Sequence, residues 1–142
     1  MTPISRTRKS QKGSAIVESA FIFIVFTALL IGAFDFGQFL FIHQALVERA
    51  RNAIRWGATK DATTTEIQNK VLYDQATVPT TPNPYFGLTA SMVTVASTGS
   101  GTDNFRLTIS IHDYPYTIVS PWIAGSYTGP NINVAVPLGL FN

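Results

Sequence analysis

The sequence predicts an α+β protein in which one long N-terminal helix crosses a membrane and extends into a small head built of a short helix and an antiparallel sheet of about three strands. Three observations carry this reading. A nearly unbroken apolar run extends from Ala20 to Phe34, and about 20 residues of helix, about 30 Å, match the hydrocarbon thickness of a bilayer. Beyond Ile42 no Gly or Pro interrupts the chain before Gly57, and the pattern turns amphipathic. Further on, three segments alternate with period two between Gly-rich turns.

Composition narrows the possibilities. With 142 residues, 46% hydrophobic and 13% charged, the chain holds one modest domain once the membrane segment is subtracted. The net charge of +2 is asymmetric: Arg6, Arg8, Lys9 and Lys12 precede Gly13 with no acid among them, leaving six basic against eight acidic residues, or −2, in the rest. That remainder lacks the basic stripe of a nucleic-acid-binding surface, so no nucleic-acid partner is expected. The absence of cysteine removes disulfides, thiolate metal sites and cysteine nucleophiles, and leaves the compartment to be argued from the membrane segment.

In chain order, residues 1–13 form a short basic leader without a fold of its own. By the positive-inside rule its four cations hold the N-terminus in the cytoplasm and send the chain beyond the helix outward. The helix then has three possible fates. A plain signal anchor accounts for charge and length but gives Glu18 no role. A secretory signal peptide cut near Ile31-Gly32-Ala33 leaves Phe34, Phe36, Phe39, Leu40 and Phe41 at a new N-terminus, a costly surface to expose. Cleavage on the cytoplasmic side after Gly13 removes only the leader, keeps the helix, and gives Gly13 and Glu18 a purpose together. A carboxylate in a membrane segment is costly enough to be a functional hypothesis by default. Its bland alternative is a charge that snorkels to the interface.

Within the span, Ala28 with Gly32 and Ala33 with Gly37 are small residues at i, i+4 spacing, a pattern that admits a second helix closely. Asp35 marks the outer end of the apolar run. Asp35-Phe36-Gly37 also spells a kinase triplet, but neither a glycine-rich nucleotide loop nor a catalytic loop accompanies it. The helix continues to about Trp56, so that residues 14–57 form one spine of roughly 65 Å, with Leu46, Ala50, Ala53, Ile54 and Gly57 along one side and Glu48, Arg49, Asn52 and Arg55 elsewhere. His43 has no second ligand at metal spacing and reads as an interfacial polar residue.

Residues 58–142 form the head. Thr64 or Thr65 caps a short helix near Glu66 to Asp74 whose inner face is Ile67, Val71 and Leu72. Pro79 to Pro84 excludes regular structure. Strands come next at Met92–Val95, Phe105–Ile111 and Ile132–Val136. Chemistry is sparse: His112 and Asp113 are adjacent rather than placed as base and orienter, and no nucleophile elbow is present. Tyr114-Pro115-Tyr116 and Pro121-Trp122 read as loop or core packing beside a sheet edge, or as a contact surface.

Lys12-Gly13-Ser14-Ala15-Ile16-Val17-Glu18 resembles the processing site of type IV pilin-like proteins. The longer run through Gly32-Ala33-Phe34-Asp35-Phe36-Gly37, Gln44-Ala45-Leu46 and Ala50-Arg51 is similar to the TadE-like minor pseudopilins of tight-adherence (Tad/Flp) pilus systems. The resemblance covers Gly13 to about Gly57. It implies cleavage between Gly13 and Ser14 by a prepilin peptidase, residence in the bacterial cytoplasmic membrane as a single-pass protein with its head outside, and work alongside other pilins or pseudopilins and the pilus assembly platform. With chemistry so sparse in the residues themselves, no enzyme activity, cofactor, metal or small-molecule substrate is expected. One departure is Ser19, where this group often carries an aromatic directly after the glutamate; the first aromatic here is Phe21. If Ser14 becomes the terminus, its amine is a cation at the membrane surface, and Glu18 of a neighbouring subunit can pair with it in low dielectric and set the register. The alternative from another class is an uncleaved anchor whose head binds an envelope partner or ligand; an exported enzyme is a distant third.

Overall fold

The computed structural model describes residues 11–99, 104–121 and 125–138. Helix α1 runs from Gln11 to Lys60 without interruption, about 75 Å at 1.5 Å per residue. It continues past Gly57 instead of ending at Trp56. Gly57 is a point of close approach: a Cβ there would lie 2.5 Å from Ile67 Cδ1, so the missing side chain lets the next helix press against α1. The helix ends where Asp61 takes a left-handed φ of 49° and the Ala62 N–H reaches back to the Gly57 carbonyl at 3.1 Å, the geometry of a Schellman stop.

Helix α2 spans Thr64–Tyr73, and its cap is Thr63 rather than Thr64 or Thr65. The Thr63 hydroxyl oxygen accepts from the Glu66 N–H at 3.3 Å while Glu66 Oε2 accepts from the Thr63 N–H at 2.8 Å. Only a residue three before the glutamate can make that reciprocal pair, which is why the cap falls at Thr63. Asp74 closes the helix in the left-handed region, and its carboxylate takes Arg49 of α1 and Lys70 of α2, each at 2.9 Å. Arg49 also stands over the Tyr85 ring at 4.2 Å, so it ties α1 to α2 and to the turn at Tyr85–Gly87 rather than facing solvent alone.

The three expected strands form one antiparallel sheet in the order β1-β2-β5, with β1 at Val93–Thr98, β2 at Arg106–Ile111 and β5 at Ile132–Pro137. Leu107, Ile109 and Ile111 of the central strand are buried on one face. Across that face α1 lies on β5 and β2, and α2 lies on β1. The core is Leu46, Ala50, Ala53 and Ile54 from α1 packed with Ile67, Val71, Leu72, Leu88, Val93, Ile109, Ile111 and Ile132. The fold is α+β, as the sequence predicts.

An element that the sequence reading missed lies between β2 and β5. Strands β3 (Pro115–Thr117) and β4 (Ser126–Thr128) pair antiparallel as a separate two-stranded sheet. Three-residue strands are too short to display a period of two. Tyr114 and Tyr116, read as loop or core packing beside a sheet edge, are buried in the core at and beside this hairpin. Trp122 lies outside the described residues.

Candidate functional site

From Ile16 to Phe34 α1 is apolar on most of its circumference, and its large side chains are exposed among the described residues. Phe21, Phe23, Leu29 and Phe34 are each 64–69% exposed, and the helix is long and apolar enough to cross a membrane. Two of its hydroxyl groups are satisfied internally: Ser19 donates to the Ala15 carbonyl and Thr27 to the Phe23 carbonyl, both at 2.8 Å. Such back-bonding is what a hydroxyl needs where no water competes. A helix apolar on every face belongs in lipid or against other helices.

Gly13, Ser14 and Glu18 lie together with Val17, Phe21 and Ile22 along one open strip at the start of this helix. Ser14 and Glu18 are one turn apart on the same face. The ion pairs among the described residues are Arg49–Asp74, Arg51–Glu48, Lys70–Asp74 and His112–Asp113, and none engages Glu18. Arg6, Arg8 and Lys9 lie outside the described residues; Lys12 falls within α1.

The small residues are placed on two faces rather than one. Ala28 and Gly32 share a side, and Ala33 and Gly37 share another turned roughly 140° from it. A Cβ added at Gly32 or Gly37 would meet nothing within 4 Å, so both positions are open to a neighbouring helix.

Asp35 proves to be the anchor point of the hairpin. Its carboxylate accepts from the Val119 N–H at 2.8 Å and the Ser120 N–H at 3.0 Å, and the Ser120 hydroxyl donates to it as well. The segment just after β3 is thereby clasped to α1 at the level where the apolar run ends. One to two turns further on, Phe39 packs against Tyr116 with ring centroids 4.6 Å apart, and His43 stacks on Phe39 with its Nδ1 3.5 Å from the Tyr116 hydroxyl. The Tyr114 hydroxyl donates to the Phe86 carbonyl at 2.8 Å, and burial pushes the Tyr114 and Tyr116 phenols above their ordinary pKa. A Cβ at Gly129 would collide with the Tyr116 ring, so this close approach requires glycine.

Sequence reasoning found the acid at the end of the span and missed its role. The only signal in the sequence is a single carboxylate at the edge of an apolar helix, which must find donors; those donors sit 84 and 85 residues away.

In the head, adjacency does not keep His112 and Asp113 apart: His112 Nδ1 lies 2.9 Å from Asp113 Oδ2, and Nε2 lies 3.3 Å from Thr94 Oγ1. The Asp113 side chain is 78% exposed, so water competes for the pair and little orienting force remains. Among the described residues no three His, Asp or Glu side chains converge as a metal-holding group.

A protein-family model described as TadE-like protein matches residues 13–55, from Gly13 through the stretch of α1 that carries Leu46, Ala50 and Ile54. No curated protein and no solved structure matches the chain. Over residues 13–55 the chain is similar to the TadE-like protein family.

Proposed function

We propose that the protein is a minor pseudopilin, cut between Gly13 and Ser14 by a prepilin peptidase, that takes part in assembling or priming a Tad/Flp-type surface pilus or a related secretion filament. In this reading residues 1–13 are the removed leader, α1 spans the cytoplasmic membrane with its N-terminus inside, and the head stands outside. Its action is mechanical. The first half of α1 packs against other pilin-like helices through the Ala28/Gly32 and Ala33/Gly37 faces, and the assembly platform and neighbouring pilins or pseudopilins are the partners.

The observation that carries the proposal is the strip at the start of α1. A glycine closes the basic leader, Ser14 comes directly after it, and Glu18, one turn on, makes no ion pair within the described chain while apolar side chains surround it. A carboxylate so placed is most favourable when a cation from outside the subunit meets it, and the amine of a newly cut Ser14 on a neighbour is such a cation.

The test is association at constant insertion. Glu18→Ala and Glu18→Gln are expected to insert and be cut as the parent is, and to crosslink to pilus partners about tenfold less, the change that about 1.4 kcal/mol produces in an association constant. Glu18→Gln keeps the shape and removes only the charge. Parent-like crosslinking and piliation by both variants would reduce Glu18 to an interfacial charge.

A further inference from the structure

The hairpin that Asp35 holds in place forms one wall of a groove whose other wall is α1. The groove encloses a cavity of about 470 Å³ reaching from Gly32 to Ile42 along the helix, with Phe36 and Phe39 on the α1 side and Tyr116, Ile118 and Tyr127 on the hairpin side. Its lining is almost wholly apolar, and Val119 and Tyr127 beside it are 58% and 63% exposed. Nothing in the head's own packing requires an apolar groove open to water. The position of the groove along the helix says what covers it.

Residues from Ala15 to Phe34 make about 30 Å of helix, the hydrocarbon thickness, and the headgroup layer adds about 5–8 Å on each side. Gly32 to Ile42 is about 15 Å of helix. The groove therefore begins inside the hydrocarbon and passes through the headgroup layer on the head's side. Asp35, the Ser120 hydroxyl and Gln38 lie at its polar level, and aromatic rings such as Tyr127 and Tyr116 are of the type that settles at this depth.

We infer that the β3–β4 hairpin is a second membrane contact of the head: it seats in the bilayer interface, and a phospholipid of that leaflet fills the groove between the hairpin and α1. The inference rests on the reading of α1 as a membrane span. The occupant is set by continuity, because the groove opens directly onto the surface that the span already presents to lipid. The consequence is mechanical. A helix alone leaves a head free to tilt, whereas a helix with a lipid-seated foot beside it fixes how the head stands on the membrane before a filament takes it up.

The chain has no cysteine, so single nitroxide labels can be placed in the full-length protein in phospholipid vesicles. Three positions suffice: Leu29→Cys in the span, Val119→Cys beside the groove, and Thr98→Cys at the far end of the sheet. Register pairs Thr98 with Arg106 at the end of β2 opposite Ile111, from which the chain enters the hairpin. Collisions with dissolved oxygen report lipid, and collisions with a water-soluble nickel chelate report water. Residue 29 is expected to be lipid-exposed, residue 98 water-exposed, and residue 119 interfacial, shielded from the chelate several-fold more than residue 98. Asp35→Ala is expected to return residue 119 to the level of residue 98 and leave residue 29 unchanged.

Residue 119 as open to the chelate as residue 98, with residue 29 still in lipid, overturns this inference and leaves the span standing. Residue 29 in water overturns both. Spin–spin broadening at residue 119 that disappears on dilution with unlabelled chain would assign the groove to a second copy and overturn the lipid as its occupant.

Discussion

The two halves of α1 share one helical geometry and meet opposite surroundings. Before Phe36, most large apolar side chains point in every direction and remain exposed; after Ile42, Leu46, Ala50, Ala53 and Ile54 form a single stripe with no exposed surface at all. The spacing of that stripe, and the small size of two of its members, lets α2 and the sheet approach closely on one side while Glu48, Arg51 and Arg55 face water. The first half has no such division because it is made for a solvent that is apolar on all sides. One helix thus carries two designs. A substitution should cost head stability in the second half and association or insertion in the first.

The largest expected difference comes from deleting side chains. Ile54→Ala should lower the unfolding free energy of the head by about 2–5 kcal/mol, since the site is fully enclosed and leaves a cavity. Leu29→Ala should change it by less than about 0.5 kcal/mol. Denaturant unfolding of the detergent-solubilised chain, monitored by near-ultraviolet circular dichroism, measures both. Equal losses would break the distinction between the halves.

Glycines give a sharper version. Gly57→Ala drives a Cβ against Ile67 at the junction of α1 and α2 and should cost about 1–3 kcal/mol by overpacking. Gly32→Ala, in the first half, meets nothing within 4 Å and should leave the same unfolding curve unmoved. A neutral Gly57→Ala would mean that α2 does not need the close approach.

The smallest effect tests the head alone. Thr63→Ala removes the α2 cap and should cost about 1 kcal/mol. Hydrogen bonds from the Thr63 N–H and hydroxyl hold the Glu66 carboxyl below its ordinary pKa. A carboxylate lowered in the folded state contributes stability that is fully present above its unfolded pKa and is lost as pH falls through the folded one. Acid titration of unfolding should therefore show part of the parent's loss below the ordinary glutamate range, and Thr63→Ala, which removes the hydroxyl donor and keeps the backbone N–H, should shrink that part without abolishing it. An identical pH dependence in both proteins would remove the capping box from the account.

Legibility in the sequence divides along the same line. The apolar run, the stripe from Leu46 to Ile54, the inner face Ile67, Val71 and Leu72, and three strands are visible because each repeats a periodicity over several residues. The helix end is misplaced because Gly57, although on the inner stripe, also reads as a terminator by local rules, and only Ile67, ten residues on, shows that it sits inside the helix as a point of close approach. The hairpin escapes notice because its strands are three residues long, and the clasp at Asp35 because its partners are distant in the chain. At the start of the helix, Gly13 and Glu18 are legible as a motif because their chemistry is local in sequence. Their proposed partners belong to other chains.

The central claim, that this helix belongs to a processed pilin-like subunit rather than to a plain anchor, is tested most directly by the intact mass and N-terminal sequence of the protein isolated from the membranes of its native host. The account predicts a chain beginning at Ser14, lighter than the full sequence by residues 1–13, and a precursor of full length when Gly13 is replaced by a bulky residue. A mature protein that begins at Met1, or that is cut on the outer side near Ala33, would contradict it and return the chain to the reading of an anchored or secreted head.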